Sequence, residues 1–182
     1  MGTLVDDLLL LARLDQQRPL ERHPVDVLAL AIDAVRDARL LAPERDIRLQ
    51  ADEGTDYVVT GDENRLRQVL SNLTGNALTH TPPGTPVSVD LGPGHLGGIP
   101  ALKLDVVDQG PGLTPQQAKR VFERFYRTDG SRTRSTGGSG LGLAIVASLI
   151  AAHTGTVAVH SSPGAGATFR ITLPLADADP PG

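Results

Sequence analysis

The chain has 182 residues and a net charge of −4, from 17 lysines and arginines against 21 aspartates and glutamates. This length suits a single domain with a short appendage, and the lack of a basic run argues against nucleic-acid binding driven by phosphate neutralisation. The sequence contains no cysteine, which excludes disulfides, thiolate catalysis and cysteine-based zinc sites and is consistent with a reducing, cytosolic compartment.

An apolar stripe opens the chain. Leu4, Leu8 and Leu11 recur at helical spacing and predict a helix that ends near residues 16–19. The stripe is far shorter than the ~20 apolar residues of a membrane span, and no basic segment precedes it, so we expect neither a span nor a signal peptide. Its width favours either a partner helix or packing on the body of the domain.

The next segment alternates short strands with two helices. Residues 25–27 predict a strand, and the apolar spacing of residues 28–41 predicts a helix that Pro43 ends. Two further strands are expected at residues 47–51 and 57–59, with Gly54 in the turn between them. Asp62 is a good N-cap for a helix over residues 63–80.

The second half predicts two pairs of strands. Residues 87–91 and 102–107 form one pair around a glycine-rich loop at 92–98, and residues 157–160 and 168–173 form the other. Thr114 and Pro115 open a short helix, residues 128–139 lack periodicity and predict a mobile loop, and residues 141–152 predict an apolar helix. This mixed order indicates an α+β fold with helices on one face of the sheet.

Two asparagines on the same predicted helix form the first candidate site. Asn72 and Asn76 are four residues apart, so both amides lie on one helix face. Magnesium prefers oxygen ligands and keeps waters and phosphates in its shell, so two neutral amides suffice when a triphosphate supplies the charge. The alternative is a structural role in which the amides bond buried backbone.

A carboxylate and two glycine clusters follow. Asp108 ends a buried strand and precedes Gly110 and Gly112, where it either accepts the exocyclic amino group of adenine or leads a tight turn. Residues 138–142 precede a helix, where free N–H groups attract phosphate. Because Leu143 and Ala144 replace Lys-Ser/Thr and no strand precedes the cluster, both Walker and dinucleotide-binding loops are excluded.

Taken in order, these motifs resemble the ATP-binding catalytic domain of bacterial two-component sensor histidine kinases, within the superfamily that includes gyrase. Residues 72–77 resemble its asparagine box and residues 108–112 its first glycine box. Residues 122–127 resemble its phenylalanine box, and residues 138–142 and 164–169 its later glycine boxes. The resemblance implies a two-layer α/β sandwich of the Bergerat type, with a mixed, mostly antiparallel sheet.

The resemblance also implies roles for individual residues. Asn76 would ligate Mg²⁺ with Asn72 in support, and Asp108 would read the adenine amino group of ATP. Phe122, Phe125 and Tyr126 would pack the hinge of a flexible lid, residues 128–138, onto the core. Arg127 would reach the γ-phosphate or remain a solvated lid arginine, as would Arg132 and Arg134. The implied catalytic residues are Arg127 and Asn72, and the further nucleotide-binding positions are Gly110, Gly112, Gly138, Gly140, Leu141, Gly142 and Thr168.

Two departures from the family pattern limit what the chain can do alone. Thr79 stands where the family often has a basic residue, and His80 where it often has an aromatic residue. None of the five histidines is followed by an acidic residue, as the family's phosphate acceptor is.

We therefore expect part of a larger kinase. Residues 1–18 would end a dimerisation hairpin, residues 19–175 would form the catalytic domain, and residues 176–182 a flexible tail. The partners would be the protein's own dimerisation domain and a response regulator. The chain would lie in the cytoplasm, with any anchor to the bacterial inner membrane elsewhere in the protein. The alternatives are an ATP-sensing module without phosphotransfer and an anti-sigma-type serine kinase.

Overall fold

The computed structural model describes residues 2–15, 20–127 and 139–176, and within the first of these ranges the side chains of residues 4–12. The first half of the chain contains α1 (Gly2–Asp15), β1 (His23–Asp26), α2 (Val27–Leu41), β2 (Ile47–Ala51), β3 (Val58–Gly61) and α3 (Glu63–His80). The second half contains β4 (Val87–Leu96), β5 (Ile99–Asp108), α4 (Pro115–Arg120), α5 (Gly142–Ala152), β6 (Thr156–Ser161) and β7 (Ala167–Pro174).

The fold has two layers, one of helices and one of β-sheet. A five-stranded sheet has the order β2-β4-β5-β7-β6, in which only the β2–β4 pair is parallel. A second, two-stranded antiparallel sheet pairs β1 with β3. Apolar side chains of α2, α3 and α5 share one hydrophobic cluster with the inward residues of the large sheet. The predicted α+β class, with helices on one face of a mixed, mostly antiparallel sheet, is confirmed.

Burial alternates strictly along β7 and less strictly along β5, and it separates the two faces of the sheet. Val106 and Phe169 are buried against the helices, because successive side chains in a strand point to opposite faces. On the outer face Asp105 accepts two hydrogen bonds of 2.8 Å from the Arg170 guanidinium across the β5–β7 pair. The core therefore lies on one side of the sheet only.

Side-chain caps set where the helices begin. The Asp26 carboxylate accepts hydrogen bonds from the Leu28 and Ala29 N–H groups at the start of α2. Asp62 accepts the Arg65 N–H at 3.1 Å, as the sequence predicted. These bonds satisfy N–H groups that the first helical turn leaves without intrahelical acceptors.

One sequence expectation requires correction. The loop predicted at residues 92–98 is a tight turn at Gly97 and Gly98, because β4 continues to Leu96 and β5 begins at Ile99. The glycines at 92 and 94 pair within the ladder, where a Cβ on Gly92 would lie 2.6 Å from an Asp52 carboxylate oxygen. Both strands predicted on either side of Gly54 form, and they join different sheets, since β2 pairs with β4 and β3 with β1.

The predicted N-terminal helix forms, and its apolar residues divide into two groups. Leu10 and Leu11 are buried in the common hydrophobic cluster, and α1 packs against α5. Leu4, Val5, Leu8 and Leu9 are exposed. One edge of α1 thus packs on the body of the domain while the other edge remains open. Among the described residues, no helix combines the length and apolarity that crossing a membrane requires.

A buried histidine connects the end of α5 to the start of α3. The His153 ring lies with Nδ1 2.7 Å from the Leu149 carbonyl oxygen, and Nε2 accepts the Asp62 N–H at 3.0 Å. This pattern requires the neutral ring with its proton on Nδ1. Burial lowers the pKa of His153, and the Arg22 charge acts in the same direction, whereas the Leu149 carbonyl and the Asp62 charge oppose the change.

Protonation of His153 should therefore destabilise the fold. Because its folded-state pKa lies below the ordinary 6.5, its contribution is complete above that pH and declines as the pH falls through it. We expect His153→Gln to cost about 1–3 kcal/mol at pH 7.5 and to reduce the loss of stability between pH 7 and pH 5. Urea unfolding across this range measures both effects. His95→Gln, at an exposed position, is the control, and an acid sensitivity unchanged by His153→Gln would contradict the assignment.

Candidate functional site

The predicted asparagine pair lies on α3 where this helix packs against α5. Asn72 and Asn76 are both half-buried and lie one turn apart on α3. The Asn72 Nδ2 group donates a hydrogen bond of 3.3 Å to the Gly142 carbonyl oxygen, at the first residue of α5. The structure thus brings the asparagine pair and the second glycine cluster together, and the Asn72 amide oxygen is not used by this bond.

Asp108 forms the second part of the site, at the end of β5. Only 7% of its surface is exposed, and its Oδ1 accepts the Gly110 N–H at 2.9 Å. Burial raises the pKa of this carboxyl, against the opposing effects of the Gly110 and Ala167 N–H groups and of the His80 and Arg45 charges. A buried carboxylate with backbone N–H donors is suited to accept a further hydrogen bond from a ligand.

The glycines after Asp108 approach other parts of the chain closely. A Cβ on Gly110 would lie 2.5 Å from the Thr81 methyl carbon, so only glycine fits there. Gly112 has a φ of +69°, and a Cβ at this position would collide with the Ser162 carbonyl oxygen. The nearest contacts at both glycines are thus to the protein itself, and their predicted approach to a base remains a prediction.

Gly140, Leu141 and Gly142 lead into α5. Gly140 has a φ of +73°, and its carbonyl oxygen accepts the Phe125 N–H at 3.0 Å. Leu141 is fully buried, and α5 begins without a side-chain hydrogen bond to its first turn. Such a helix start presents backbone N–H groups that favour an anion.

The aromatic residues before the undescribed segment differ in burial. Phe122 packs edge-on against Phe169, with ring centroids 6.2 Å apart, as expected for a residue that packs residues 122–127 onto the core. Phe125 instead is 59% exposed and has a φ of 60°, so its predicted packing is wrong. Tyr126 is half-buried beneath the Arg120 guanidinium, 4.6 Å from the ring centroid.

The other predicted residues have different outcomes. Arg127 is half-buried and ends the described range, so its role remains a prediction. Thr168 pairs with Val107 and His160 on the outer face of the sheet, whereas Asp108 lies on the inner face and pairs with Ala167. The structure therefore does not bring the Thr168 side chain to the site, because strand alternation turns it away. Gly138, Arg132 and Arg134 lie outside the described residues.

Comparison with known proteins decides the family. Residues 61–177 match the model of histidine kinase-, DNA gyrase B- and HSP90-like ATPases. The chain belongs to this ATPase family. Its predicted resemblance to the catalytic domain of sensor histidine kinases is confirmed.

Individual relatives agree with this family. The probable sensor histidine kinase TcrY of Mycobacterium tuberculosis is 49% identical over 174 residues, which cover 94% of this chain and 35% of TcrY. The mycobacterial sensor histidine kinase MprB matches with a TM-score of 0.71 at 31% identity, over 88% of this chain and 99% of that one. Full-length ShkA in complex with AMPPNP matches with a TM-score of 0.79 at 34% identity, over 98% of this chain and 37% of ShkA. The chain thus spans about a third of the length of TcrY and of ShkA.

Sequence reasoning missed three residues beside the site of this ATPase-family domain. The backbone N–H of Ala167 opposes the rise in the pKa of the Asp108 carboxyl. The Thr81 side chain packs against Gly110. Arg45, in the loop between α2 and β2, donates a hydrogen bond to the Thr81 hydroxyl oxygen. The sequence contained no signal for Ala167, whose contribution is a backbone group. Thr81 and Arg45 are 36 residues apart, and their contact arises only because the loop between α2 and β2 packs against the end of α3.

The donor set is compatible with magnesium that arrives with its own anions. Among the described residues, no group of three or more histidines and carboxylates could bind a metal ion. Two neutral amide oxygens cannot offset the charge of Mg²⁺, which requires further oxygen ligands in octahedral geometry. The Asn72 and Asn76 amides therefore fit a metal that a phosphorylated ligand already coordinates.

The burial of Asp108 generates a prediction about stability. Its raised pKa means that the folded state binds more protons than the unfolded state just above the ordinary value of 3.8, so wild-type stability should decrease as the pH rises through this window. Asp108→Asn removes the effect, so its stability relative to wild type should increase as the pH rises from 4 to 7. Urea unfolding of both proteins tests this. The exposed Asp37→Asn is the control, and a difference independent of pH would contradict the prediction.

Proposed function

We propose that this chain binds Mg·ATP and donates the γ-phosphoryl group to a histidine on a dimerisation domain that the chain does not contain, as the catalytic domain of a sensor histidine kinase in two-component signalling. The observation that carries the proposal is the buried Asp108 carboxylate, on the same face of the sheet as the helices that present the amides and the glycine cluster. A buried carboxylate reduces stability when its oxygens lack hydrogen-bond donors. A ligand that donates a hydrogen bond at this position would offset that cost.

Asp108 selects adenine in this proposal. The carboxylate accepts the exocyclic amino group of adenine, while the Gly110 N–H fixes its orientation through Oδ1. Guanine has an acceptor carbonyl in place of that amino group, so it would face the carboxylate without a hydrogen bond. A buried polar group left unpaired costs about 1–3 kcal/mol, which is sufficient to discriminate between the two bases.

The two asparagines and the start of α5 receive the metal-bound phosphates. Asn76 contributes its amide oxygen to Mg²⁺, and Asn72 supports it while its Nδ2 group positions Gly142. Backbone N–H groups after Gly140 bind phosphate oxygens, as helix starts do. ATP supplies the γ-phosphoryl group together with the negative charge that the two neutral amides lack.

The transfer breaks the bond between the γ-phosphorus and the β,γ-bridging oxygen of ATP and forms a bond to an imidazole nitrogen of the acceptor, which leaves ADP. Arg127 is proposed to approach the γ-phosphate and stabilise the charge that spreads over its oxygens. Arg132 and Arg134 are proposed to approach the γ-phosphate as Arg127 does, and Gly138 to contribute to nucleotide binding. The geometry of these three residues lies outside the described part of the chain.

The acceptor and the remaining partners belong to the proposal as well. None of the five histidines precedes an acidic residue, so the acceptor is expected on a separate helical hairpin. The open edge of α1, formed by Leu4, Val5, Leu8 and Leu9, is suited to pack against another helix of that hairpin. A response regulator would then receive the phosphoryl group, and the chain would function as a cytoplasmic module of a membrane-anchored sensor.

Asn76 generates a prediction about the metal. We expect Asn76→Ala to weaken ATP binding in the presence of Mg²⁺ by at least about tenfold, because one metal ligand is lost, and to leave binding in EDTA nearly unchanged. Calorimetric titration under both conditions measures the difference. Asn64→Ala is the matched control, since Asn64 is an exposed asparagine on the same helix. An equal loss of affinity with and without Mg²⁺ would remove Asn76 from the metal.

Phosphotransfer is tested with labelled ATP and the separately produced hairpin of the full-length protein. We expect label on the hairpin only when this chain and Mg²⁺ are both present, and none with Asp108→Asn, since the nucleotide is no longer positioned. Tight ATP binding without label on the hairpin would instead favour an ATP-sensing module. Thr79, exposed where the family often has a basic residue, is the observation on which that alternative depends.

A further inference from the structure

Arg45 is a buried arginine to which the proposed mechanism assigns no role. It lies in the loop between α2 and β2, and only 5% of its side chain is exposed. Its Nε lies 3.8 Å from a carboxylate oxygen of Glu44, whose side chain is 56% exposed. The Nε group is buried without a hydrogen-bond partner. An arginine buried in this way costs stability that an apolar side chain of similar size would not.

The two terminal nitrogens of Arg45 cap the end of α3. One donates to the Thr81 hydroxyl oxygen, and the other donates to the Leu78 carbonyl oxygen at 2.9 Å and the Thr81 carbonyl oxygen at 3.2 Å. The last carbonyls of a helix lack intrahelical donors and carry partial negative charge. The planar guanidinium bonds them from two separate nitrogens held in a fixed geometry, whereas a lysine has all its donors on one nitrogen.

Thr81 connects this cap to the adenine side of the site. Its hydroxyl donates to the Ala77 carbonyl oxygen at 2.7 Å, one residue after Asn76. Its methyl carbon occupies the space that a Cβ on Gly110 would need, at 2.5 Å. Gly110 in turn donates its N–H to Asp108. A continuous set of contacts therefore runs from Arg45 through Thr81 and Gly110 to Asp108.

The Arg45 charge acts on Asp108 as well. It favours the ionised carboxylate and opposes the effect of burial, as do His80 from α3 and the N–H groups of Gly110 and Ala167. Arg45 thus affects Asp108 in two ways, through the position of Thr81 and through its charge. Neither effect requires contact with the nucleotide.

We propose that Arg45 is a positioning residue. It bonds the end of α3 and holds Thr81 in contact with the Gly110 turn, and in this way it fixes the distance between the Asn76 amide and the Asp108 carboxylate. Base and metal-bound phosphates can then be bound together only when this spacing is correct. The inference rests on the proposed binding of Mg·ATP at these two residues.

The test measures ATP affinity by calorimetry between pH 5 and pH 8, and the ionisation of the Asp108 carboxyl by carbon NMR in the nucleotide-free protein. Arg45→Met should weaken ATP binding at pH 7 by about tenfold and move the Asp108 midpoint to higher pH. Arg45→Lys should keep the midpoint near the wild-type value but still bind ATP more weakly, because one ammonium nitrogen cannot reproduce the geometry of bonds made from two nitrogens. Arg48→Met is the control, since Arg48 is exposed and pairs with Asp46.

The outcomes separate the inference from the proposed function. A folded Arg45→Met protein with wild-type affinity and an unchanged Asp108 midpoint would overturn the inference. If Arg45→Met does not fold, Thr81→Val replaces it in the test, because this variant keeps the methyl group against Gly110 but removes the hydroxyl. Wild-type ATP affinity in both Thr81→Val and Arg45→Lys would also overturn the inference. A wild-type protein that fails to bind ATP would reject the proposed function, whereas a shifted Asp108 midpoint in Arg45→Met would still support the coupling.

Discussion

The position of α3 is the constraint on which the rest of the site depends. This helix carries both asparagines, and its two ends are bonded to elements distant in sequence. At the first turn the Asp62 N–H donates to the buried His153 ring, and at the last turn Arg45 bonds the Leu78 and Thr81 carbonyls. Between them Asn72 donates to Gly142. Helix α3 is therefore positioned along its whole length against α5 and the sheet.

The site combines groups that reduce stability with contacts that offset the cost. Asp108 is buried in a position where its ionised form is disfavoured, and Arg45 is buried with an unbonded Nε. Buried polar groups of this kind are expensive unless they are hydrogen-bonded. Extensive apolar burial by α2, α3, α5 and the inner face of the sheet supplies the opposing free energy. These charges are placed where they favour ligand binding at the expense of stability, as charged groups in functional sites often are.

The glycine clusters also serve the fold itself. Gly112 approaches the turn between β6 and β7 at Ser162, and Gly140 approaches Phe125. Each approach brings together two backbone segments that are separated along the chain. In this chain Gly112 and Gly140 are thus points where two segments of backbone meet. A motif seen in sequence alone does not distinguish these two uses.

The sequence by itself predicted most of the elements, the fold class and the resemblance to the family. Asp62, the apolar spacing of residues 63–80 and the alternation of residues 168–173 are local patterns, so they predicted α3 and β7 directly. The pairing of β2 with β4, the outward direction of Thr168 and the exposure of Phe125 were decided only by the tertiary structure. The same holds for the Arg45–Thr81 contact across 36 residues. Spacing along a chain reports which residues share a face of one element, whereas contacts between elements depend on how those faces pack.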